Sequence, residues 1–115
     1  MDAKIYHNPR CSKSRATLEL LEDNGIHPSI VEYLKHPPDA GEIRSVLDKL
    51  GLSAADIVRT NESAFRESGL TTDSPEEALI ALIVEQPSVL QRPIVVIGDK
   101  ARIGRPPEQV LDLIP

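Results

Sequence analysis

The sequence predicts an α/β fold with a mixed β-sheet. Short apolar segments of strand character alternate with segments of helical periodicity, and the 115 residues contain no internal repeat. The predicted order is strand, helix, strand, a helical stretch, and then strand, strand and helix. A chain of this length can bury a core without disulfides or a structural metal. We therefore expect one domain over residues 1–115, with a helical insertion at about 39–87 between the second and third core strands.

The first predicted elements surround the single cysteine of the sequence. Lys4 to His7 is predicted as the first strand, and a helix follows from about Ser12 to Asn24. Gly25 can adopt the left-handed conformation that ends such a helix. Ser29 to Leu34 then fits a second strand.

The middle of the chain is predicted to be helical. Asp39 and Glu42 have the spacing of a capping box, and apolar residues after them recur at i, i+3, i+4 and i+7, as in an amphipathic helix. Residues 53–69 suggest short helical turns. Ser74 as an N-cap, with Pro75 at the first helical position, predicts the start of another helix.

The last elements are predicted as a hairpin followed by a helix. Ile94 to Ile97 is the β-branched run of a buried strand, residues 98–99 form a turn, and Ala101 to Ile103 is the antiparallel partner. A final helix opens at Pro106. Its apolar residues are Val110, Leu111 and Ile114.

This order of elements, with a cysteine at the end of the first strand, points to a thioredoxin-like α/β sandwich. Such folds place a cis-proline just before the third core strand, facing the active-site cysteine, and Pro93 after Arg92 occupies that place. A cis bond is costly except before proline, so we expect a structural role for Pro93. A trans proline that starts a strand is the alternative.

Composition argues against several classes of function. Asp and Glu number 18 against 13 Lys and Arg, a formal net charge of -5, whereas a nucleic-acid binder would carry a broad basic face. The N-terminal residues lack a signal-peptide apolar region, and the longest apolar run, Ala78 to Val84, is far below the ~18 residues of a membrane span. We expect a cytoplasmic protein without membrane association, where a free thiol stays reduced. No metal cluster or glycine fingerprint indicates a bound cofactor.

Cys11 is the candidate reactive group. It lies at the predicted start of a helix, where unpaired backbone N–H groups and the positive end of the macrodipole favour a thiolate. Arg10, Lys13 and Arg15 form a local basic island that is expected to lower the thiol pKa and attract anions. The alternative is a small buried apolar residue, because free cysteine is among the most buried residue types.

Four segments spread over the chain carry a family resemblance. They are Ile5 to Leu18 around Cys11, Tyr33 to Pro38, Val58 to Asn61, and Arg92 to Val96 together with Arg105 and Pro106. In these motifs the chain resembles the glutaredoxin-coupled arsenate reductases, within a wider group that also includes the Spx-like proteins. The resemblance implies reduction of arsenate to arsenite through a covalent adduct on Cys11, with glutathione as co-substrate and glutaredoxin as partner. The expected protein is a monomer.

The resemblance also implies a set of site residues. His7 and Ser14 match family positions close to the nucleophile, where they would hydrogen-bond the thiolate or orient its surroundings. A strand-end histidine without a ligand is an equal alternative for His7. Arg59, Arg92 and Arg105 match the anion-binding set, and the planar fork of arginine can donate two hydrogen bonds to one oxyanion. Each arginine taken alone is more often a solvated surface cation.

Two other functions are compatible with the same sequence. One is a glutathione-dependent thiol/disulfide reductase that acts on another small oxidant through the same thiolate. The other is a non-enzymatic regulator of the Spx type, which binds RNA polymerase and senses oxidation. Redox sensing commonly uses paired cysteines, and Ser14 stands where the second cysteine would be, which favours the enzymes.

Overall fold

The computed structural model describes residues 2–115. Within that range the chain divides into two compact units, one formed by residues 2–36 and 92–115 and the other by residues 37–91. The first unit contains the four strands of the described residues, and the second is helical. The single-domain organisation over 1–115 stays a prediction. None of the helices in this range has the length and apolar character needed to cross a membrane.

The first unit is built on a mixed four-stranded sheet in the order β2-β1-β3-β4. Strand β1 (Ala3–His7) pairs in parallel with β2 (Ser29–Glu32) and antiparallel with β3 (Ile94–Ile97), which in turn pairs antiparallel with β4 (Lys100–Ile103). Helix α1 (Ser12–Asp23) joins β1 to β2, because two parallel neighbours require a crossover connection. The predicted mixed sheet and its element order are confirmed.

Two boundaries in this unit differ from the prediction. Strand β2 ends at Glu32 rather than at Leu34, because the Glu32 carbonyl accepts hydrogen bonds from the N–H groups of Lys35 and His36 and turns the chain. Helix α1 ends one residue early, and Gly25 follows it in the predicted left-handed conformation at φ 79°.

The core of the first unit lies between the sheet, α1 and the C-terminal segment. Its buried members are Ile5, Leu21, Val95, Ile97, Val110 and Leu113. The C-terminal helix is a 3-10 helix, Pro107–Leu113, in which residues three apart share one side. Val110 and Leu113 therefore face the core, whereas Leu111, predicted on the apolar side, is 39% exposed.

The second unit packs three α-helices with two short 3-10 helices. Its elements are α2 (Ala40–Leu50), the 3-10 turn Ala54–Ile57, α3 (Ser63–Ser68), α4 (Glu76–Glu85) and the 3-10 turn Pro87–Val89. The predicted cap of α2 is present, since Asp39 Oδ1 accepts the N–H of Glu42 at 2.8 Å. The predicted cap of α4 is wrong by one residue: Pro75 is the N-cap, and Ser74 Oγ instead accepts the N–H of Thr71 at 2.9 Å.

Candidate active site

The thiol of Cys11 lies at the N-terminus of α1. Cys11 is the N-cap residue, its backbone is extended (φ -94°, ψ 123°), and it is only 9% exposed. Its N–H donates to the Asn8 carbonyl at 3.0 Å, and its carbonyl accepts the N–H of Arg15 at 3.0 Å. The loop and the first helical turn thus hold the cysteine at the positive end of the helix.

The loop before the cysteine is held by its own Asn8 side chain and by two side chains of α1. Asn8 Oδ1 accepts the N–H of Arg10 at 3.0 Å, and the Asn8 N–H donates to Ser14 Oγ at 3.0 Å. Arg15 Nη1 donates to the Pro9 carbonyl at 2.9 Å. Sequence reasoning missed this role of Asn8, although asparagine before proline after a strand is a turn signal with a local hydrogen-bonding mechanism.

The pKa of the Cys11 thiol is lowered from its ordinary value. Burial by itself raises this pKa, but it is outweighed by four groups together, the backbone N–H of Ser14, the charge of Arg92, the N–H of Lys13 and the charge of Arg105. Arg105 Nη2 lies 3.7 Å from Cys11 Sγ. The thiolate is therefore favoured by one helix terminus and by two cations that are remote in sequence.

The sequence predicted the direction of this shift for a partly different reason. The helix N-terminus contributes as expected. The basic residues next to the cysteine in sequence are not the source of the charge effect, because Arg10 and Lys13 are exposed and Arg15 donates to the loop backbone. Arg92 and Arg105 supply it instead.

Arg92 and Arg105 are also joined to each other. Arg105 Nε donates to the Arg92 carbonyl at 2.8 Å. Each arginine precedes a proline across a cis peptide bond, Arg92-Pro93 and Arg105-Pro106. The cis bond predicted at Pro93 is confirmed, and the second one at Pro106 was not predicted. The structure thus brings two of the three predicted anion-binding arginines to the thiol.

The third arginine, Arg59, belongs to the second unit. Its Nη1 donates to the Glu62 carboxylate at 3.0 Å and to the Ser88 carbonyl at 3.2 Å. Its backbone N–H donates to the Val89 carbonyl at 2.7 Å. The guanidinium is therefore largely engaged within its own unit, and its predicted role in anion binding stays a prediction.

His7 and Ser14 form a buried pair that joins the end of β1 to the first turn of α1. Ser14 Oγ lies 2.6 Å from His7 Nδ1, and both residues are buried. Burial lowers the pKa of His7, the charge of Glu32 opposes this, and that of Arg15 adds to it. The neutral imidazole is favoured as a result. Because Nδ1 is engaged with Ser14, any proton exchange by this ring must use Nε2. A catalytic role for the pair stays a prediction.

These features define a class of protein: a thioredoxin-like α/β fold with an activated cysteine at the start of its first helix and two arginines beside the sulfur. Comparison with known proteins then gives the family. The model of the ArsC family matches residues 6–113, and the chain belongs to the ArsC family.

Relatives match over nearly their whole length. The chain is 53% identical over 113 residues to the uncharacterized protein YfgD of Escherichia coli K12, covering 96% of this chain and 95% of that protein. It is 46% identical over 113 residues to an arsenate reductase of Neisseria meningitidis serogroup A, covering 95% of each. A solved structure, the arsenate reductase from Vibrio cholerae, superposes with a TM-score of 0.95 at 43% identity, covering 99% of this chain and 98% of that one. The predicted family and fold class are confirmed.

Proposed function

We propose that this protein reduces arsenate to arsenite with Cys11 as the nucleophile and glutathione and glutaredoxin as the source of electrons. The observation that carries the proposal is the Arg105 guanidinium 3.7 Å from a thiol of lowered pKa. Membership of the ArsC family and 46% identity to an arsenate reductase support it.

The chemistry of arsenate suits such a site. Arsenate is a compact tetrahedral oxyanion that is largely dianionic near neutral pH, so it needs cations and backbone N–H groups to hold it against water. Arg92 and Arg105 offer permanent charges and forked donors next to the nucleophile. The start of α1 offers N–H groups on the same side as the sulfur.

The first proposed step joins sulfur to arsenic. The Cys11 thiolate attacks arsenic(V), an As–S bond forms, and one arsenate oxygen leaves as water after protonation. No electrons are transferred in this step. Arg92 and Arg105 would stabilise charge on the arsenic oxygens, an effect worth about 3 kcal/mol per well-placed donor in other enzymes.

The reducing electrons must then come from other thiols, because the sequence has one cysteine. Glutathione replaces a second oxygen of the adduct, which leaves as water, so that arsenic(V) carries both the Cys11 and the glutathione sulfur. A thiolate of glutaredoxin attacks the glutathione sulfur, the bond between that sulfur and arsenic breaks, and its electron pair reduces arsenic(V) to arsenic(III) while a mixed disulfide of glutaredoxin and glutathione forms. Water releases arsenite from Cys11, and a second glutathione frees glutaredoxin from the mixed disulfide. Overall, arsenic acid and two glutathione molecules give arsenous acid, glutathione disulfide and water. The proposed setting is a monomer in the reducing cytoplasm.

The test is arsenate-dependent NADPH oxidation by the purified protein with glutathione, glutaredoxin and glutathione reductase. We expect activity in the wild type, none in Cys11→Ser, and a loss of tenfold or more, about 1.4 kcal/mol, in Arg92→Ala. Arg102→Ala is the matched control, because Arg102 donates to the Ala101 carbonyl on β4 and not to the thiol. An inactive wild type, or Cys11→Ser with full activity, would overturn the proposal.

One observation favours a second function. The groups that lower the pKa of Cys11 belong to the protein and not to a substrate, so the same thiolate can attack a disulfide. Reduction of a mixed disulfide of glutathione by a wild type that is inactive on arsenate would indicate this thiol/disulfide reductase.

A further inference from the structure

A tight contact joins α1 to the residue before Arg105. A Cβ atom added to Gly104 would lie 2.5 Å from Thr17 Oγ1, 3.0 Å from Thr17 Cγ2 and 2.9 Å from Pro93 Cγ. The φ angle of Gly104 is not in the left-handed region, unlike those of Gly25 and Gly98. A glycine is therefore required at 104 for space and not for backbone conformation.

Hydrogen bonds fix both sides of this contact. Thr17 is fully buried, and its Oγ1 donates to the Lys13 carbonyl at 2.8 Å while lying 3.5 Å from the Gly104 carbonyl. On the other side, the Gly104 N–H donates to the Pro93 carbonyl at 2.9 Å. Because the bond to Lys13 sets the threonine rotamer, the side chain cannot swing away from Gly104 without losing it.

The contact between Thr17 and Gly104 links the element that carries the thiol to the residue before Arg105. Thr17 is on the helix whose N-terminus carries Cys11, and Gly104 is covalently linked to Arg105. The Arg105 side chain in turn reaches the sulfur at 3.7 Å and the Arg92 carbonyl at 2.8 Å. A change in the separation of Thr17 and Gly104 therefore shifts the backbone from which the Arg105 side chain reaches the sulfur.

We propose that Thr17 and Gly104 are positioning residues, whose close contact sets the distance between the Arg105 guanidinium and the Cys11 sulfur. Neither residue touches the reacting atoms. Both act through Arg105. Its guanidinium stabilises the thiolate less as the distance between the guanidinium and the Cys11 sulfur increases. The inference rests on the proposed function only where it concerns arsenate, because the state of the thiol can be measured without substrate.

The test is the pH dependence of Cys11 alkylation by iodoacetamide in Gly104→Ala. The added methyl group displaces the backbone at 104, so we expect the midpoint of the profile to rise, by less than the effect of about 1–3 units that a full opposite charge has at 4–6 Å, because Arg105 is moved and not removed. Gly41→Ala is the matched control, since a Cβ there meets only Asp39 Oδ1 at an ordinary 3.5 Å. A folded Gly104→Ala with the wild-type midpoint would contradict the inference.

The double variant Gly104→Ala/Thr17→Ala tests the contact itself. Removing Thr17 Oγ1 and Cγ2 relieves two of the three nearest contacts and keeps the one with Pro93 Cγ at 2.9 Å, so the midpoint should return part of the way toward the wild-type value. A double variant no closer to the wild type than Gly104→Ala would count against the proposal. If Gly104→Ala does not fold, Thr17→Val places a bulkier methyl group against Gly104 and should raise the midpoint, whereas an unchanged midpoint in that folded variant would overturn the inference.

A second readout separates this inference from the proposed function. If arsenate is the substrate, Gly104→Ala should raise the KM for arsenate several-fold, because a displaced Arg105 guanidinium makes a weaker charge-assisted hydrogen bond to the anion. A wild type without arsenate activity would reject the proposed function alone. The alkylation profiles would still decide whether Thr17 and Gly104 position Arg105.

Discussion

At the scale of single residues, several neighbouring groups together lower the pKa of the Cys11 thiol. Burial of Cys11, which is 9% exposed, disfavours a thiolate, and no single neighbouring group overcomes that cost alone. Two backbone N–H groups at the start of α1 and two guanidinium groups do so together. A thiolate held in this way is favoured by the protein around it and remains partly shielded from water.

His7 provides a prediction on pH and stability. Because burial lowers its pKa in the folded state, the unfolded chain binds the proton first as the pH falls. The contribution of His7 to the free energy of unfolding is therefore complete above the ordinary histidine pKa of about 6.5 and decreases as the pH falls from there toward the lowered pKa. Urea unfolding at a series of pH values from neutral to acidic measures this slope.

The comparison variant is His7→Gln, which has no titrating ring. Carboxylates contribute to the slope of both proteins, so the difference between the two curves isolates the histidine. We expect the wild type to lose more stability than His7→Gln between pH values just above and below about 6.5. Parallel curves for the two proteins would show that the pKa of His7 is the same in the folded and unfolded states.

At the scale of elements, helix caps show where a sequence pattern is sufficient and where it fails. Asp39 is followed by a helix that needs its first N–H groups satisfied, and the predicted bond to Glu42 is present. Ser74 fits the same pattern, but its hydroxyl closes the turn with Thr71 instead. Pro75 then stands outside the helix, where its carbonyl accepts the N–H groups of Ala78 and Leu79.

The cap of α2 gives a prediction on stability. Asp39→Ala removes the acceptor for the Glu42 N–H and should lower the free energy of unfolding by about 1 kcal/mol, the usual cost of losing such a cap. Asp39→Asn keeps an oxygen acceptor and should be close to the wild type. Urea titration of both variants makes the comparison, and equal stability of Asp39→Ala and Asp39→Asn would mean that the cap does not stabilise the helix.

Local patterns were sufficient for most of the fold and for part of the site. Strand β3, the glycine after α1 and the position of Cys11 follow from β-branched runs, left-handed glycine and the strand-to-helix transition, all of which act within a few residues. The two arginines that act on the thiol could not be found in this way. Arg92 and Arg105 come close to Cys11 through sheet pairing and chain reversal, which no local pattern encodes. Only the family resemblance pointed to them. The need for glycine at 104 also depends on a long-range contact, with Thr17.

At the scale of the whole molecule, the prediction concerns whether Arg59 takes part in anion binding. If it binds arsenate as the family motif implies, Arg59→Ala should raise the KM for arsenate about tenfold, since about 1.4 kcal/mol is a factor of ten. The groups that lower the thiol pKa are all in the first unit, so the alkylation profile of Cys11 should stay unchanged. Arg66→Ala, an exposed arginine of the same unit as Arg59, is the control.

The two readouts together locate the function of Arg59. A raised KM with an unchanged thiol profile is the expected result. An unchanged KM would remove Arg59 from the anion site and leave its ion pair with Glu62 as a purely structural interaction.

The contact between Cys11 and Arg105 spans 94 positions of the chain, with the second unit encoded between them. During translation the cysteine leaves the ribosome long before either arginine that acts on it has been synthesised. Until residues 92–105 have been added and the sheet has closed, the nascent chain lacks the two guanidinium groups that lower the pKa of the Cys11 thiol. The backbone N–H groups that lower the same pKa are encoded beside the cysteine, so the environment of the thiol is completed in two stages separated by the synthesis of the second unit.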